Sequence, residues 1–233
     1  MPFRLLLIAL LAFSGFSATR AQFTDDFTDL EFTNGPAWSG STTLFTAAAG
    51  QLNSQSPGAA NYYLSTPSTL VNDVQWEFFV DLRFSTSGAN YADIYLMSDM
   101  ADLTAGVNGY LLRVGGTADR LELFSSEAGG AFTTGLQSPD GVVNSSSSNP
   151  FRIKVTRSAA GEWSLFYDDG ATGTYTASGT ITDNTNTAAT HFGVRIEQSS
   201  AASAANNHFF DDFAVAPIAV DNTPPQILSV SAV

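Results

Sequence analysis

Two pairs of adjacent aspartates stand near the ends of the β-patterned part of the chain. Phe23–Phe27 (FTDDF) opens this part and Phe209–Phe213 (FFDDF) closes it. Ca²⁺ prefers about six to eight oxygen ligands, which carboxylates and backbone carbonyls supply. The repeated motif therefore predicts paired first and last strands whose aspartates bind a hard cation. The alternative is that these aspartates only protect strand edges and cap turns.

Carboxylates for hydrolytic chemistry are not found at a suitable spacing. A retaining glycosidase needs two carboxylates about 5–5.5 Å apart, and laminarinase-type enzymes place them in a Glu-x-Asp-x-x-Glu strand. None of the six glutamates is followed two residues later by aspartate. Glu77 and Asp81 share a strand face, but the rise of a strand separates them by roughly 13 Å. With two isolated histidines and no Gly-x-Ser-x-Gly motif, we expect a protein that is not an enzyme.

The charge of the chain limits its partners. The 233 residues include 9 basic and 22 acidic side chains, a formal net charge of −13. Such a surface repels phosphate backbones and anionic lipids, so we expect neither nucleic-acid binding nor membrane insertion. The absence of cysteine excludes disulfides and zinc–thiolate sites. Neutral glycans, polycations and divalent cations remain as partners.

The first 21 residues have the features of an export signal. Arg4 precedes an apolar run from Leu5 to Phe13, and Thr19-Arg-Ala21 places small residues before a cleavage site. The apolar run is too short to cross a membrane as a helix. We therefore predict a signal peptide over 1–21 and a secreted or cell-surface protein.

The rest of the chain is patterned for β-strands. Gln75–Phe84 (QWEFFVDLRF) alternates strictly, with Trp76 in the apolar phase. Turns rich in Gly, Asn and Ser separate similar short segments, and no helical segments alternate with them. The pattern predicts an all-β sandwich of two antiparallel sheets. The predicted strands are Leu44–Ala47, Gln51–Asn53, Asn61–Ser65, Gln75–Phe84, Tyr91–Met97, Tyr110–Val114, Arg120–Ser125, Phe151–Arg157, Trp163–Asp168, Thr174–Thr182, His191–Glu197 and His208–Val215.

A ligand surface is predicted from the outward phase of four consecutive strands, which begin at Gln75, Tyr91, Tyr110 and Arg120. If these strands are neighbours in one sheet, their outward side chains form one face. Aromatic rings stack on sugars, and arginines and carboxylates bond hydroxyl groups, so this face is a candidate glycan site. An ordinary solvated face, or a contact between modules, is the alternative. The candidate residues are Phe79, Asp81, Arg83, Tyr91, Asp93, Tyr95, Arg113 and Glu122.

The C-terminal residues predict a domain boundary. Asp221–Pro225 (DNTPP) ends in two prolines, which remove backbone donors and stop strands, so 218–225 is the predicted linker. Gln226–Val233 (QILSVSAV) alternates like the first strand of a further, truncated domain.

Several segments together resemble the N-terminal module of large exported Bacteroidetes surface proteins. In those proteins a concanavalin A-like (laminin-G or jelly-roll) module precedes immunoglobulin-like and lamin-tail domains. The resemblance implies a concanavalin A-like jelly roll over 22–217 and an immunoglobulin-like module that begins at 226–233. The segments are PAWSG (36–40), WEFFVDLRF (76–84), ANYADIYLMSD (89–99), NGYLLRVGG (108–116), FRIKVTRSAAGEWSLFYDD (151–169) and HFFDDFAV (208–215).

The resemblance also implies a metal site and a function. Similar jelly rolls hold a structural calcium ion through an acidic residue at the start of the last strand. Asp211 matches that residue, in phase with Phe213, and Asp25 or Asp26 would supply the N-terminal ligand. The leading expectation is a non-catalytic carbohydrate-binding or adhesive module, whose partners are a glycan or surface polymer and the downstream modules of its own chain. A structural spacer that contacts neighbouring domains is the alternative, and a glycoside hydrolase or polysaccharide lyase with an unrecognised site is the third.

Overall fold

The computed structural model describes residues 22–128 and 130–218. The predicted signal peptide over 1–21, linker residues 219–225 and the predicted strand at 226–233 lie outside the described residues. Within the described ranges, no helix is long and apolar enough to cross a membrane.

The described residues form fifteen strands and one turn of 3-10 helix at Thr42–Leu44. In chain order the strands are β1 (Phe23–Asp25), β2 (Ser39–Gly40), β3 (Phe45–Ala48), β4 (Gln51–Ser54), β5 (Ala60–Pro67), β6 (Val74–Leu82), β7 (Tyr91–Ser98), β8 (Gly109–Gly115), β9 (Arg120–Glu127), β10 (Gly130–Gln137), β11 (Pro150–Arg157), β12 (Glu162–Asp169), β13 (Thr176–Thr182), β14 (His191–Gln198) and β15 (His208–Pro217).

These strands form two antiparallel sheets. One has the order β13-β12-β11-β6-β15-β4-β3, with β1 paired to the second half of β15. The other has the order β10-β9-β8-β7-β14-β5-β2. Apolar side chains from the inner faces of both sheets pack into one large core. The architecture is the concanavalin A-like jelly-roll sandwich that the sequence predicts.

The strand phase predicted for β6 is confirmed. Its apolar residues, including Trp76 and Phe78, are buried in the core. Trp76 stacks on Trp163 of β12, with ring centroids 5.5 Å apart and planes 11° from parallel. The two indoles therefore meet over β11, which lies between β6 and β12 in the eight-stranded sheet.

The paired ends of the sandwich are also confirmed. Phe23 lies opposite Val215, and Asp25 lies opposite Phe213. Because β15 also pairs with β6 and β4, the last strand lies inside its sheet and not at an edge. Strand β1 therefore covers a part of β15 that β4 leaves unpaired.

A β-bulge in β15 makes the predicted phase of Asp211 wrong. The register with β6 shifts between Asp211 and Ala214, and Asp212 has a φ of 51°, a left-handed conformation that aspartate tolerates better than most residues. Phe210 and Phe213 are both buried as a result. Asp211 lies opposite Phe79 on the outer face, not in phase with Phe213.

The bulge places Phe213 at the centre of an aromatic cluster. This cluster joins the N-terminal segment to both sheets. Its members, with ring centroids 5.3 to 6.4 Å from that of Phe213, are Phe27, Trp38, Phe78, Phe192 and Phe210.

We predict that Trp76→Ala lowers the free energy of unfolding by about 3–5 kcal/mol, because it leaves a cavity beside Trp163. Urea titration monitored by circular dichroism measures the change. Tyr175→Ala is the matched control, since the Tyr175 side chain is 40% exposed and its loss should cost less than about 1 kcal/mol. Equal losses for the two variants would contradict the assigned core.

His208 is a buried titratable group with a direct effect on stability. It is fully buried beside Phe84, its Nδ1 lies 3.2 Å from Ser54 Oγ, and burial lowers its pKa to about 3. Because the unfolded chain binds this proton more readily, the stability contributed by neutral His208 is complete above pH 6.5. That stability is lost as the pH falls toward 3.

We predict that His208 alone removes up to about 1.4 kcal/mol of stability per pH unit between about pH 6 and pH 4. His208→Gln should therefore lose less stability on acidification than the wild type does. His191→Asn is the control, because His191 is only partly buried and should contribute a shallower slope. The unfolding free energy is measured as a function of pH for both proteins. Equal slopes for the wild type and His208→Gln across this pH range would refute the assignment.

Candidate functional site

The eight candidate ligand residues do not form one face. Strand β6 lies in the eight-stranded sheet, whereas β7, β8 and β9 are neighbours in the seven-stranded sheet. The condition for a single face, that all four strands are neighbours in one sheet, is therefore not met. Alternation fixes which side of a strand is outward, but it does not fix which strand lies beside it. Phe79, Asp81 and Arg83 lie on one side of the sandwich, and Tyr91, Asp93, Tyr95, Arg113 and Glu122 lie on the other.

A buried carboxylate is the centre of the outer face of the seven-stranded sheet. Asp93 is fully buried and lies opposite Arg113 on β8 and Arg195 on β14. Arg113 donates from Nε to Oδ1 at 2.8 Å and from Nη2 to Oδ2 at 3.0 Å. Arg195 donates from Nη2 to Oδ2 at 2.5 Å. We call these three residues the Arg–Asp–Arg cluster.

Aromatic rings fix the two guanidinium groups in place. Arg113 lies over Tyr91 at 4.0 Å and over Phe124 at 5.0 Å, and Arg195 lies 5.5 Å from Tyr95. Burial opposes the charge of Arg113, but its hydrogen bonds to Asp93 and the charge of that carboxylate outweigh burial and raise the Arg113 pKa. The side chains of Arg113 and Arg195 are 21% and 16% exposed. Two oriented cations therefore reach the surface above a buried anion.

The loop of residues 99–108 covers one flank of this cluster. Leu103 and Val107 are buried against Tyr95 and Leu111. Ser65 and Ser126 donate from their hydroxyls to carbonyls of the loop, each at 2.8 Å. The loop thus covers the row of outward side chains that contains Tyr95 and Leu111. The next two rows, which contain the Arg–Asp–Arg cluster and Tyr91, remain at the surface.

The open row next to the cluster contains residues that sequence reasoning missed. Glu197 of β14 lies opposite Tyr91 and accepts a 2.9 Å hydrogen bond from Asn61 Nδ2 of β5. Strand β14 alternates, with Phe192, Val194 and Ile196 buried, so the sequence pattern could have predicted that Arg195 and Glu197 point outward. The sequence pattern could not have predicted that β14 lies between β7 and β5.

Glu122 lies at the margin of this face and is already engaged. It accepts a 2.7 Å hydrogen bond from Arg120 Nη2 and a 2.6 Å bond from Thr133 Oγ1. Arg120 also pairs with Asp140 at 2.7 Å. Glu122 therefore closes the β9 side of the face.

The three candidates on the eight-stranded sheet have different roles. Asp81 is buried and accepts from Arg83 Nε at 2.7 Å, from Asn149 N at 2.8 Å and from Ser148 Oγ at 3.1 Å. Asp81 thereby fixes the chain that leads into β11. Arg83 lies 3.7 Å from the centre of the Phe209 ring. Phe79 is half-buried on the outer face, with Arg152 5.9 Å from its ring centroid.

The terminal aspartates do not fit the calcium site predicted from the sequence. Asp25 accepts from Phe27 N at 3.0 Å and from Trp38 Nε1 at 2.7 Å, so each of its oxygens already accepts one hydrogen bond. Asp26 Oδ1 accepts from the backbone N–H and the hydroxyl of Thr28. Over the described residues, 22–128 and 130–218, no group of three or more His, Asp or Glu is arranged to bind a metal ion.

Asp211 differs from the N-terminal aspartates in its surroundings. Burial raises the pKa of Asp211 to about 6, and its Oδ1 accepts from Asp212 N at 2.7 Å. Asp212 forms a 2.8 Å ion pair with Arg152, which brings a positive charge to this region. A cavity of about 460 Å³ is lined by Asp25, Asp26, Asp29 and Asp212 but not by Asp211. The aspartates of the two motifs thus take part in local hydrogen bonds and one ion pair, and Asp211 does not line the cavity that the other aspartates share.

Comparison with known proteins finds similar folds among solved structures but no matching family. No family model and no curated protein matches the chain. The carbohydrate recognition domain of Emp47p matches with a TM-score of 0.62 and 11% identity, over 87% of this chain and 97% of that one. The exoplasmic/lumenal domain of VIP36, bound to Ca²⁺ and Man3GlcNAc, matches with a TM-score of 0.58 and 10% identity, over 88% and 93%.

A bacterial module has the same architecture. The carbohydrate-binding module CBM66 from Bacillus subtilis matches with a TM-score of 0.53 and 14% identity, over 75% of this chain and 91% of that one. At such low identities these likenesses show a shared jelly-roll fold.

We predict that Asp25→Ala lowers the free energy of unfolding by about 1–3 kcal/mol, because it leaves Trp38 Nε1 and Phe27 N without their acceptor. Thermal melts in millimolar calcium and in EDTA should show the same loss. Asp26→Ala is the matched control and should cost less, since Asp26 is exposed. A calcium-dependent rise in melting temperature that Asp211→Ala abolishes would contradict this assignment and support a metal site.

Proposed function

We propose that this chain contains a non-catalytic carbohydrate-binding module of a secreted or cell-surface protein. The ligand binds on the outer face of the seven-stranded sheet. The observation that supports this most strongly is the Arg–Asp–Arg cluster. Burying a carboxylate costs free energy unless it is paired and hydrogen-bonded, and here Asp93 is satisfied by two arginines that still reach solvent. The cluster fixes donors at the surface in the way that a binding site requires.

The chemistry of this face suits hydroxyl groups. Asp93 takes three donated bonds from the two guanidiniums. Arg113 Nε is used in one of them and Arg195 Nε is buried, so Nη N–H groups of each fork are left for a ligand. Glu197 supplies a neighbouring acceptor, and Tyr91 adds a half-buried aromatic edge. Sugar recognition uses hydrogen-bond donors, an acceptor and an aromatic ring. Here all three lie at neighbouring outward positions of adjacent strands. The shared fold with Emp47p, VIP36 and CBM66 domains adds support.

The carboxylates singled out from the sequence are already engaged by arginines. Asp93, Glu122 and Asp81 each accept hydrogen bonds from an arginine side chain. A retaining glycosidase needs two carboxyl groups about 5–5.5 Å apart that are available to the substrate. Carboxylates held by arginines in this way are poorly placed for that role.

Secretion and a multidomain context are further parts of the proposal. They are supported by the signal-like residues 1–21 and by the proline-containing segment 221–225. The partners are then a glycan or surface polymer and the downstream modules of the same chain. A structural calcium ion is not assigned to the terminal aspartates, whose carboxylates accept hydrogen bonds from neighbouring groups of the chain.

A structural spacer remains the second candidate, and the outer face of the eight-stranded sheet favours it. Half-buried rings there lie beside cations: Phe166 is 4.8 Å from Lys154 Nζ, and Phe209 is 3.7 Å from Arg83. Apolar rings at outward strand positions are typical of surfaces that contact another domain.

We predict that the mature chain binds glycans on an array and releases no reducing ends from laminarin, xylan or agarose. Tyr91→Ala should weaken binding at least about fivefold, the effect of losing roughly 1 kcal/mol of contact. Phe166→Ala on the opposite face is the matched control and should bind like the wild type.

Three outcomes would count against the proposed function. Loss of binding in Phe166→Ala but not in Tyr91→Ala would place the ligand on the other sheet. The absence of binding to any glycan would favour the spacer, and turnover abolished by a single carboxylate substitution would favour an enzyme.

A further inference from the structure

We infer that the ligand is an uncharged linear oligosaccharide that crosses strands β8, β7, β14 and β5, with about three sugar units in contact. This inference rests on the proposed function and adds the class, direction and length of the ligand. It follows from the charge balance of the face, from the position of the 99–108 loop and from the order of the strands.

The charges of the site balance. Arg113 and Arg195 carry two positive charges, and Asp93 and Glu197 carry two negative ones. A hydroxyl group both donates and accepts, so it can use an arginine N–H and the Glu197 carboxylate together. A uronate or sulfate group would gain from the arginines but would be repelled by Glu197 and by a chain of net charge −13. The site therefore favours an uncharged sugar.

The loop of residues 99–108 fixes the direction of the ligand. A Cβ built on Gly193 would lie 2.7 Å from Leu103 Cδ1, so the loop rests directly on β14. Tyr95 and Leu111, in the neighbouring strands, are sealed by the same loop. A chain that followed the strands would run into this loop, whereas a chain that crossed the strands would lie beside it.

The strand order fixes the length. The open strip runs from Arg113 on β8, past Tyr91 on β7 and Glu197 on β14, to Asn61 on β5. These four strands span three intervals of about 4.8 Å, which is similar to the repeat of a linear sugar chain. Beyond β8, the paired Glu122 and its partners on β9 close the strip. About three sugar units therefore fit.

The inference is tested by measuring the affinity of the mature chain for oligosaccharides of increasing length. Manno-, xylo- and laminari-oligosaccharides of one to six units are titrated by calorimetry, with oligogalacturonates as charged counterparts. For the series that binds best, affinity should rise about three- to tenfold per added unit, the range expected for one net hydrogen bond. The rise should stop at about three units, and each oligogalacturonate should bind more weakly than the uncharged chain of equal length.

Two substitutions with matched controls locate the contacts. Asn61→Ala should weaken trisaccharide binding about threefold or more, and by a larger factor than it weakens disaccharide binding, since Asn61 lies at the end of the strip. Asn144→Ala, an exposed asparagine elsewhere, should change neither. Glu197→Gln should weaken uncharged ligands and strengthen oligogalacturonates, while Glu127→Gln makes the same charge change at an exposed site and should do neither.

The outcomes separate this inference from the proposed function. Affinity that saturates at one unit, or that keeps rising to six, would overturn the inference and leave a carbohydrate-binding module in place. Tighter binding of oligogalacturonates would do the same. If no oligosaccharide of any length or charge binds, the proposed function fails and the inference fails with it.

Discussion

Packing around Phe213 is the interaction on which the arrangement of the sandwich depends. Its ring contacts Trp38 from the N-terminal segment, Phe78 from the eight-stranded sheet and Phe192 from the seven-stranded sheet. The bulge at Asp212 makes this packing available, because it turns Phe210 and Phe213 to the same side of one strand. Since the chain contains no cysteine, side-chain packing of this kind must hold the two sheets together.

The same packing explains how the ends of the domain are fixed. Trp38, held by Phe213, donates its indole N–H to Asp25, and Asp25 lies opposite Phe213 across the β1–β15 pair. On β11 of the eight-stranded sheet, the buried Arg157 donates to the Val71 carbonyl at 2.6 Å and to Asn184 Oδ1 at 2.8 Å. The buried donors of Trp38 and Arg157 therefore each find acceptors in another segment of the chain.

The fold was largely predictable from the sequence, because alternation reports the phase of each strand directly. The strict pattern of β6 placed Trp76 in the core, where the structure has it. Strand β10 was missed, since a register shift between Thr133 and Gln137 and a φ of 83° at Gly135 interrupt its pattern. The bulge at Asp212 was missed for the same reason: a single left-handed residue leaves no periodic signal.

The candidate site was predictable only in part, because it depends on neighbours that are distant in sequence. Asp93 and Arg113 share a hairpin and were found together, but Arg195 comes from β14, about one hundred residues after Asp93. Sheet order is set by how the chain crosses between sheets, and alternation carries no record of it. The sealing of Tyr95 by the 99–108 loop is likewise a tertiary contact.

The two outer faces use similar residues to different ends. On the eight-stranded sheet, Asp81 accepts a hydrogen bond that holds the loop before β11, and its partner Arg83 lies 3.7 Å from the centre of the Phe209 ring. On the seven-stranded sheet, one buried carboxylate orients two arginines whose outer edges stay free. A cation already oriented by a buried partner loses less conformational entropy when a ligand arrives. The two faces have similar residue types, so composition does not distinguish them. They differ in that Asp93 is completely buried while its two arginines reach the surface.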